Sequence, residues 1–292
     1  MITLYLARPL RWLGSVHNGV RIPILLYHSI SERSGDRAHP YFVTETHPST
    51  FAKQMKYVYD NGYSTITLSE VLALLRSKSS DRKKRVVITF DNGYRDFYTH
   101  AFPILKGYGF RAHVFLPTAY IGHRRQLLQG RECLTWPEVR ELDEAGVVFG
   151  SHTVTRSQLH SFPIFDIERE IQESKDSIEN ELGAGISSFS YPYAFPEEDR
   201  EFMHRLRDIL QSHGYQNGVT TILGSVQTHE DRFFLRRLPA NSYDDLALFR
   251  AKLDGDYDWL GSPQYLKKLI ERQVRRHEPR ASSTDPAVAA PQ

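Results

Sequence analysis

The chain has 292 residues, of which 40% are hydrophobic and 25% charged, and its formal net charge is +2. This composition is typical of a folded globular protein and excludes a disordered or fibrous chain. A net charge near zero predicts no nucleic-acid partner, and the basic run at residues 82–85 is interpreted as a solvated turn before an apolar strand. Cys133 is the single cysteine, so no intramolecular disulfide can form, and a buried, inert thiol is expected.

Both ends of the chain differ from its middle. Residues 1–21 are predicted to form an N-terminal arm whose apolar side chains pack on the domain or rest on a membrane surface. Charged residues, proline and glycine interrupt this arm, so it resembles neither a signal peptide nor a transmembrane segment, and a cytoplasmic or peripheral membrane location is expected. Residues 278–292 are rich in Pro, Ala and Ser and are predicted to be a disordered tail.

Short apolar runs alternate with amphipathic stretches, a pattern typical of parallel strands connected by helices. Eight strands are predicted, at residues 22–27, 65–68, 86–90, 112–116, 147–150, 188–191, 219–222 and 233–238. Among the intervening helices, one is expected to be capped by Ser69 and two to end at Asn61-Gly62 and at Gly183. The pattern predicts a single-domain α/β protein, a distorted (β/α)7-8 barrel over residues 22–245, with C-terminal helices at residues 246–277 packing on it.

Polar side chains follow four of the predicted strands: His28, Asp91, His152 and Tyr193. Each has an ordinary structural explanation, such as a core histidine or a turn residue. In a parallel barrel, however, residues just past the carboxyl ends of the strands meet at one rim, where ligands bind. The four together therefore favour a functional site at that rim.

Several motifs in the same region occur in the order of a known family. They are Tyr27-His28, Thr89-Phe90-Asp91-Asn92-Gly93-Tyr94, Phe115-Leu116-Pro117-Thr118, Leu134-Thr135-Trp136, Ser151-His152-Thr153-Val154-Thr155-Arg156 and Ser190-Tyr191-Pro192-Tyr193. With them the chain resembles the polysaccharide deacetylase (NodB-homology) family, also called carbohydrate esterase family four, from about residue 23 to residue 240. Within that family it is similar to the branch that includes the biofilm-glycan deacetylases.

This resemblance implies a hydrolysis of an acetamido group on a sugar or glycan, dependent on a divalent, zinc-type metal. Asp91 would be the general base, His28 the general acid, His152 a metal ligand, and the backbone N–H of Tyr193 an oxyanion donor. Substrate-binding positions are expected at Tyr94, Trp136 and Pro192. The implied partner is an acetylated carbohydrate.

By this resemblance the metal is held by an aspartate and two histidines. The chain departs from that set at two positions, with Asn92 in place of the aspartate and Arg156 in place of one histidine, beside the retained His152. Asn92 removes a negative charge, and a guanidinium cannot coordinate a metal. At 4 Å and an effective dielectric of 20, Arg156 would disfavour a dication by roughly 8 kcal/mol. The guanidinium could occupy the metal position and pair with Asp91, or a metal could move to a site that includes His160.

Two functional hypotheses follow. The first is a deacetylase-type hydrolase that uses a weakly bound metal or Arg156 as the electrophile. The second is a non-catalytic relative, a pseudoenzyme that binds a glycan in the retained cleft. Fold resemblance alone does not choose between them, and the sequence leaves the glycan and the preference for N-acetyl or O-acetyl groups open.

Overall fold

The computed structural model describes residues 20–32, 43–77 and 83–277. Its strands in chain order are β1 (Arg21–Ile22), β2 (Ile24–Tyr27), β3 (Ser29–Ile30), β4 (Glu45–Thr46), β5 (Ser64–Thr65), β6 (Arg85–Phe90), β7 (His113–Leu116), β8 (Leu127–Leu128), β9 (Arg131–Glu132), β10 (Val148–Ser151), β11 (Ser188–Ser190), β12 (Asn217–Leu223), β13 (Val226–Gln227) and β14 (Leu235–Pro239). The helices are α1 (Pro48–Asp60), α2 (Leu68–Arg76), α3 (Phe102–Gly107), α4 (Trp136–Glu144), α5 (Ile164–Leu182), α6 (Arg200–Ser212), α7 (Leu246–Asp254) and α8 (Gly261–His277).

Seven parallel strands close into a barrel in the order β2, β14, β12, β11, β10, β7, β6 and back to β2. This confirms the predicted barrel. The predicted strand at residues 65–68, however, is not one of the seven strands that close it. The observed strand in this region is the two-residue β5, which pairs only with the first residues of β6. The second half of β6 pairs with β7. The reason is local, since Thr67 already begins a helix.

Helix ends follow the expected capping chemistry with one correction. The N-cap of α2 is Thr67 and not Ser69, because Thr67 and Glu70 form a reciprocal capping box. Helix α1 ends at Asp60 with Asn61 as its C-cap, and α5 ends at Gly183, whose φ of 66° is left-handed. Both predicted helix stops are confirmed.

The barrel interior is apolar at its amino end. Alternate strand residues point inwards there, among them Ile24, Val87 and Leu235, and they form one buried cluster with Leu68 and Val71 of α2. Helix α2 therefore closes this end of the barrel. A second, larger cluster fills the layer between the outer strand faces and the surrounding helices.

The carboxyl end of the interior is polar, and an ion pair lies at its centre. Arg237, two residues after Leu235 on β14, points its guanidinium at Asp91, and the side chains of the two residues are 0% and 3% exposed. Nη1 and Nη2 of Arg237 donate to the two carboxylate oxygens of Asp91, each at 2.8 Å. The remaining donors bind the Thr220 carbonyl, Thr89 Oγ1 and Ser190 Oγ. All five guanidinium N–H groups thus have acceptors.

The C-terminal helices contact the outside of the barrel. Phe249 of α7 packs edge-on against Tyr57 of α1, with ring centroids 6.2 Å apart. Gln264 of α8 accepts the N–H of Leu223 and donates to the Thr221 carbonyl. The predicted arm, except for its last two residues, and the predicted tail at residues 278–292 lie outside the described residues. Within the described ranges no helix is long and apolar enough to cross a membrane.

One buried histidine should make the stability of the fold depend on pH. Nε2 of His113 on β7 accepts the N–H of Leu68 at the start of α2, and burial lowers the pKa of His113 to about 3. Below about pH 6.5 the unfolded chain takes up a proton that the native state excludes, so stability falls as the pH falls towards 3. His113→Gln keeps an acceptor and should flatten this slope by about 1.4 kcal/mol per pH unit between pH 6 and pH 4.

Urea unfolding at several pH values measures that slope, and His100→Gln is the control for loss of an exposed histidine. An unchanged slope in His113→Gln would contradict the assignment of His113 as a neutral acceptor.

Breaking the central ion pair from one side should cost far more than removing it. Arg237→Met leaves Asp91 buried without a partner and should lower the free energy of unfolding by about 3–5 kcal/mol. The double variant Asp91→Asn/Arg237→Met leaves no uncompensated charge and should be more stable than Arg237→Met alone. Arg236→Met, on the same strand but with a side chain 39% exposed, is the matched control and should cost under about 1 kcal/mol. A double variant less stable than the single one would overturn this account.

Candidate active site

The carboxyl rim of the barrel gathers the polar residues that follow the strands. Asp91 directly follows β6 and is buried. Burial alone would raise its pKa, but the positive charge and hydrogen bonds of Arg237 hold that pKa well below its ordinary value. Asp91 is therefore an ionised, fixed carboxylate. Its partner Arg237 was not anticipated from the sequence. The available signal was an arginine at an inward position of a predicted strand, two residues after Leu235.

Asn92 follows Asp91 in a left-handed conformation with φ of 76°. Its side chain is buried, and Oδ1 has no hydrogen-bond partner among the residues that the structure describes. The next residue, Gly93, is also left-handed, and a Cβ there would lie 2.8 Å from Leu116 Cδ2. This turn leads the chain away from the rim and leaves the Asn92 amide beside the site. Nearby, Cys133 is buried as predicted, and burial raises the pKa of its thiol to about 12.

His152 follows β10 and is oriented by a backbone carbonyl. Its Nδ1 lies 2.9 Å from the Ser190 oxygen, which can only accept, so Nδ1 carries the proton and the lone pair is on Nε2. Burial lowers the pKa of His152 to about 4. The imidazole is therefore neutral near pH 7, with one nitrogen available as an acceptor or a metal ligand.

The loop after His152 is fixed from below by helix α5. The buried carboxylate of Glu170 accepts the N–H groups of Val154 and Thr155 at 2.9 and 2.8 Å. Thr153 and Arg156 both have left-handed φ values, of 65° and 57°, and the Arg156 N–H donates to Thr153 Oγ1. These hydrogen bonds fix the conformation of the loop, and that conformation determines the direction of the Arg156 side chain.

Arg156 does not pair with Asp91, which corrects one of the hypotheses drawn from the sequence. Both oxygens of Asp91 bind Arg237, and the Arg156 guanidinium lies on Tyr193 instead. Its carbon is 4.5 Å from the Tyr193 ring centroid, and Nη1 donates to the Tyr193 hydroxyl at 2.9 Å. Nε of Arg156 is buried and finds no acceptor in the described part of the chain.

Tyr193 lies in a strained turn after β11, with φ of 61°, and its residue surface is 45% exposed. Thr221 Oγ1 donates to the Tyr193 carbonyl at 3.0 Å and accepts the Phe195 N–H at 2.9 Å, which holds the turn. In the described part of the chain, no acceptor lies opposite the Tyr193 N–H. That donor is available to a ligand.

His28 follows β2 and is half-buried at the same rim. Burial lowers its pKa to about 4, the negative charge of Asp91 opposes this shift, and the positive charges of Arg237 and Arg156 add to it. These interactions place His28 close to the ion pair and to Arg156. The structure thus brings together His28, Asp91, His152, Arg156 and Tyr193.

The three expected substrate-binding residues are buried. Tyr94 and Trp136 are only 4% and 6% exposed, and Pro192 is also buried, so all three offer little surface to a ligand. His160 is exposed on the short 3-10 turn Leu159–Ser161.

The residues present do not fit a tightly bound divalent metal. In residues 20–32, 43–77 and 83–277, no group of three His, Cys, Asp or Glu side chains is placed to hold a metal ion. His152 offers Nε2 and Asn92 a neutral amide oxygen, but the third expected position carries the cation of Arg156. A dication near a guanidinium is repelled unless the arginine moves away.

Comparisons with known proteins agree with this geometry. The sequence profile named "Polysaccharide deacetylase" matches residues 78–218. The chain is 32% identical over 218 residues to YxkH of Bacillus subtilis (strain 168), which is named among the polysaccharide deacetylases; the match covers 75% of this chain and 71% of that protein. It is 27% identical over 147 residues to the poly-beta-1,6-N-acetyl-D-glucosamine N-deacetylase of Escherichia coli (strain K12), covering 47% of this chain and 21% of that enzyme.

Among solved structures, the chain is similar to the Streptococcus pyogenes deacetylase PplD in complex with acetate. The TM-score is 0.69 at 26% sequence identity, and the match covers 80% of this chain and 99% of PplD. The barrel, the order of its motifs and the extent of the match to YxkH lead to one conclusion: this chain belongs to the polysaccharide deacetylase family.

Proposed function

We propose that this protein hydrolyses the N-acetyl group of a sugar or glycan in the cleft at the carboxyl rim of the barrel. The observation that carries the proposal is the ionised Asp91, fixed by Arg237, with His28 beside it and the unpartnered N–H of Tyr193 on the same rim. Family membership supports the reaction class, and the Escherichia coli relative is named for de-N-acetylation.

Each proposed role follows from the state of the group. Asp91 would accept the proton of the water that attacks the acetamido carbonyl, because it is the ionised carboxylate at the rim. The Tyr193 N–H would donate to the oxyanion that develops on that carbonyl. His28 would protonate the departing amine, and because burial lowers the pKa of His28 to about 4, its protonated form is a strong acid present only as a small fraction near pH 7.

A second candidate, non-catalytic binding of an acetylated glycan, is favoured by a specific observation. The Arg156 cation lies at a position where the family resemblance implies a metal ligand, and it is anchored on Tyr193. Moreover, the depressed pKa of Asp91 makes it a weak base, so water that is not otherwise activated would react slowly. Under this alternative the cleft binds the glycan without turnover.

The purified protein should carry well under one equivalent of zinc, nickel or cobalt. The reason is that Asn92 brings no charge and Arg156 no lone pair, which leaves His152 as the one retained ligand. Elemental analysis of the protein after dialysis against metal-free buffer measures the stoichiometry. One full equivalent that is lost in His152→Ala would overturn the expectation, and His160 would then be the first alternative ligand to replace.

A restoration experiment separates the two candidate functions. Asn92→Asp adds a carboxylate and Arg156→His exchanges a cation for a neutral donor, so the double variant should bind metal much more tightly than either single variant. If the cleft is otherwise competent, metal-dependent release of acetate from chitin oligomers or another N-acetylated glycan should appear or increase. Asp91→Asn in the double variant is the control and should abolish that release.

The single variants are the matched controls for metal affinity. A double variant that binds one equivalent of metal but releases no acetate from any N-acetylated glycan, while the native protein binds a glycan, would establish the non-catalytic alternative.

A further inference from the structure

Arg156 is a cation for which the described residues provide no anionic partner. Its side-chain hydrogen bond and its cation–π contact are both with Tyr193, and no carboxylate lies within ion-pair distance of it in the described ranges. Glu170 of α5, the carboxylate that holds this loop, already accepts the N–H groups of Val154 and Thr155 and the Thr155 hydroxyl. The positive charge of Arg156 is therefore available to an anionic ligand in the cleft.

The other groups at the rim do not balance that charge. Asp91 is neutralised by Arg237 through two hydrogen bonds. His28 and His152 contribute no negative charge in either protonation state, and Asn92 is neutral. Summed over His28, Asp91, Asn92, His152, Arg156 and Arg237, the charges near pH 7 leave one positive charge, that of Arg156.

The guanidinium is also held in place before any ligand arrives. The Arg156 backbone is fixed by its bond to Thr153 Oγ1, and the side chain is stacked at 4.5 Å on the Tyr193 ring. Little rotamer entropy remains to be lost on binding, which favours affinity. The buried Nε has no acceptor among the described residues, and a buried donor without an acceptor destabilises the protein by about 1–3 kcal/mol. The ligand-free cleft therefore holds Arg156 in an energetically unfavourable state.

We propose that Arg156 is the anion-binding residue of the cleft and that the glycan bound there is acidic, presenting a sugar carboxylate to the guanidinium. The planar guanidinium matches the planar carboxylate, whereas phosphate sites usually collect several cationic or N–H donors. Tyr193, an exposed residue beside Arg156, provides an apolar ring face for the sugar itself. This inference deepens the proposed function and rests on the cleft being a glycan site.

Two N-acetylated tetrasaccharides test the inference, one from hyaluronan with carboxylates and one from chitin without them. By calorimetry in EDTA-treated buffer, the native protein should bind the hyaluronan tetrasaccharide at least tenfold more tightly than the chitin tetrasaccharide. Arg156→Gln should abolish this preference, and Arg156→Lys, which keeps the charge but not the planar fork, should retain part of it. Arg205→Gln is the matched control, because Arg205 is an exposed arginine on α6 paired with Glu201, and it should change nothing.

Titration with sodium acetate distinguishes a sugar carboxylate from the free acid. If acetate binds through Arg156 but the acidic tetrasaccharide has no advantage over the neutral one, the site takes the small carboxylate and the inference of an acidic glycan is wrong. It is equally wrong if Arg156→Gln binds both tetrasaccharides as the native protein does, or if no Arg156-dependent binding of either probe is detected. Acid-selective binding without any acetate release would instead uphold the inference and refute only the hydrolytic function.

Discussion

The rim of this protein depends on a charge pair placed inside the barrel. Removing a carboxylate and a guanidinium from water costs several kcal/mol for each ion, and their attraction compensates only when the geometry is good and every remaining donor is satisfied. Arg237 and Asp91 meet that requirement, with two bonds of 2.8 Å between them and all five guanidinium N–H groups accepted. The energetic cost of burying this pair is limited because the pair lies at the polar end of the barrel interior, whereas the other end is apolar and closed by α2.

Ser190 links this pair to His152 through its hydrogen bonds. Its hydroxyl donates to Asp91 and accepts from Arg237, while its carbonyl orients His152. Around this centre, Asn92, Thr153, Arg156 and Tyr193 all have left-handed backbones without being glycine. Such conformations cost of order 1–3 kcal/mol each and persist only where the surroundings determine them. Glu170 and Thr221 supply those surroundings, so the rim is rigid before a ligand binds.

The sequence was sufficient for the barrel and for the residues that follow its strands, because strand and helix periods and the rule for parallel sheets are local or general properties. Three features were beyond it. Arg237 and Asp91 are 146 residues apart, and their meeting depends on strand register. The direction of Arg156 depends on a left-handed φ that no residue type near it requires. The short β5 depends on Thr67 rather than Ser69 ending the strand and capping α2.

Asn92 and Arg156, at which the chain departs from the ligand set implied by the resemblance, can be compared with that set by their net charge. In the arrangement implied by the family resemblance, an aspartate, a neutral histidine and a dication sum to one positive charge. Asn92 and Arg156 also sum to one positive charge, with no metal. By this resemblance, the two residues would keep the net charge of a metal-loaded site while carrying it on a covalently attached guanidinium instead of an exchangeable ion.

The positions are consequently coupled, and neither exchange is neutral alone. Asn92→Asp by itself would offer Arg156 an anionic partner and cancel the charge of the cleft, whereas Arg156→His by itself would leave a neutral cleft with no carboxylate to attract a cation. A guanidinium can polarise a carbonyl oxygen and can bind a carboxylate, but it cannot lower the pKa of a coordinated water as a metal does. A cleft whose charge is carried by a guanidinium would therefore be better suited to binding an anionic ligand than to activating water.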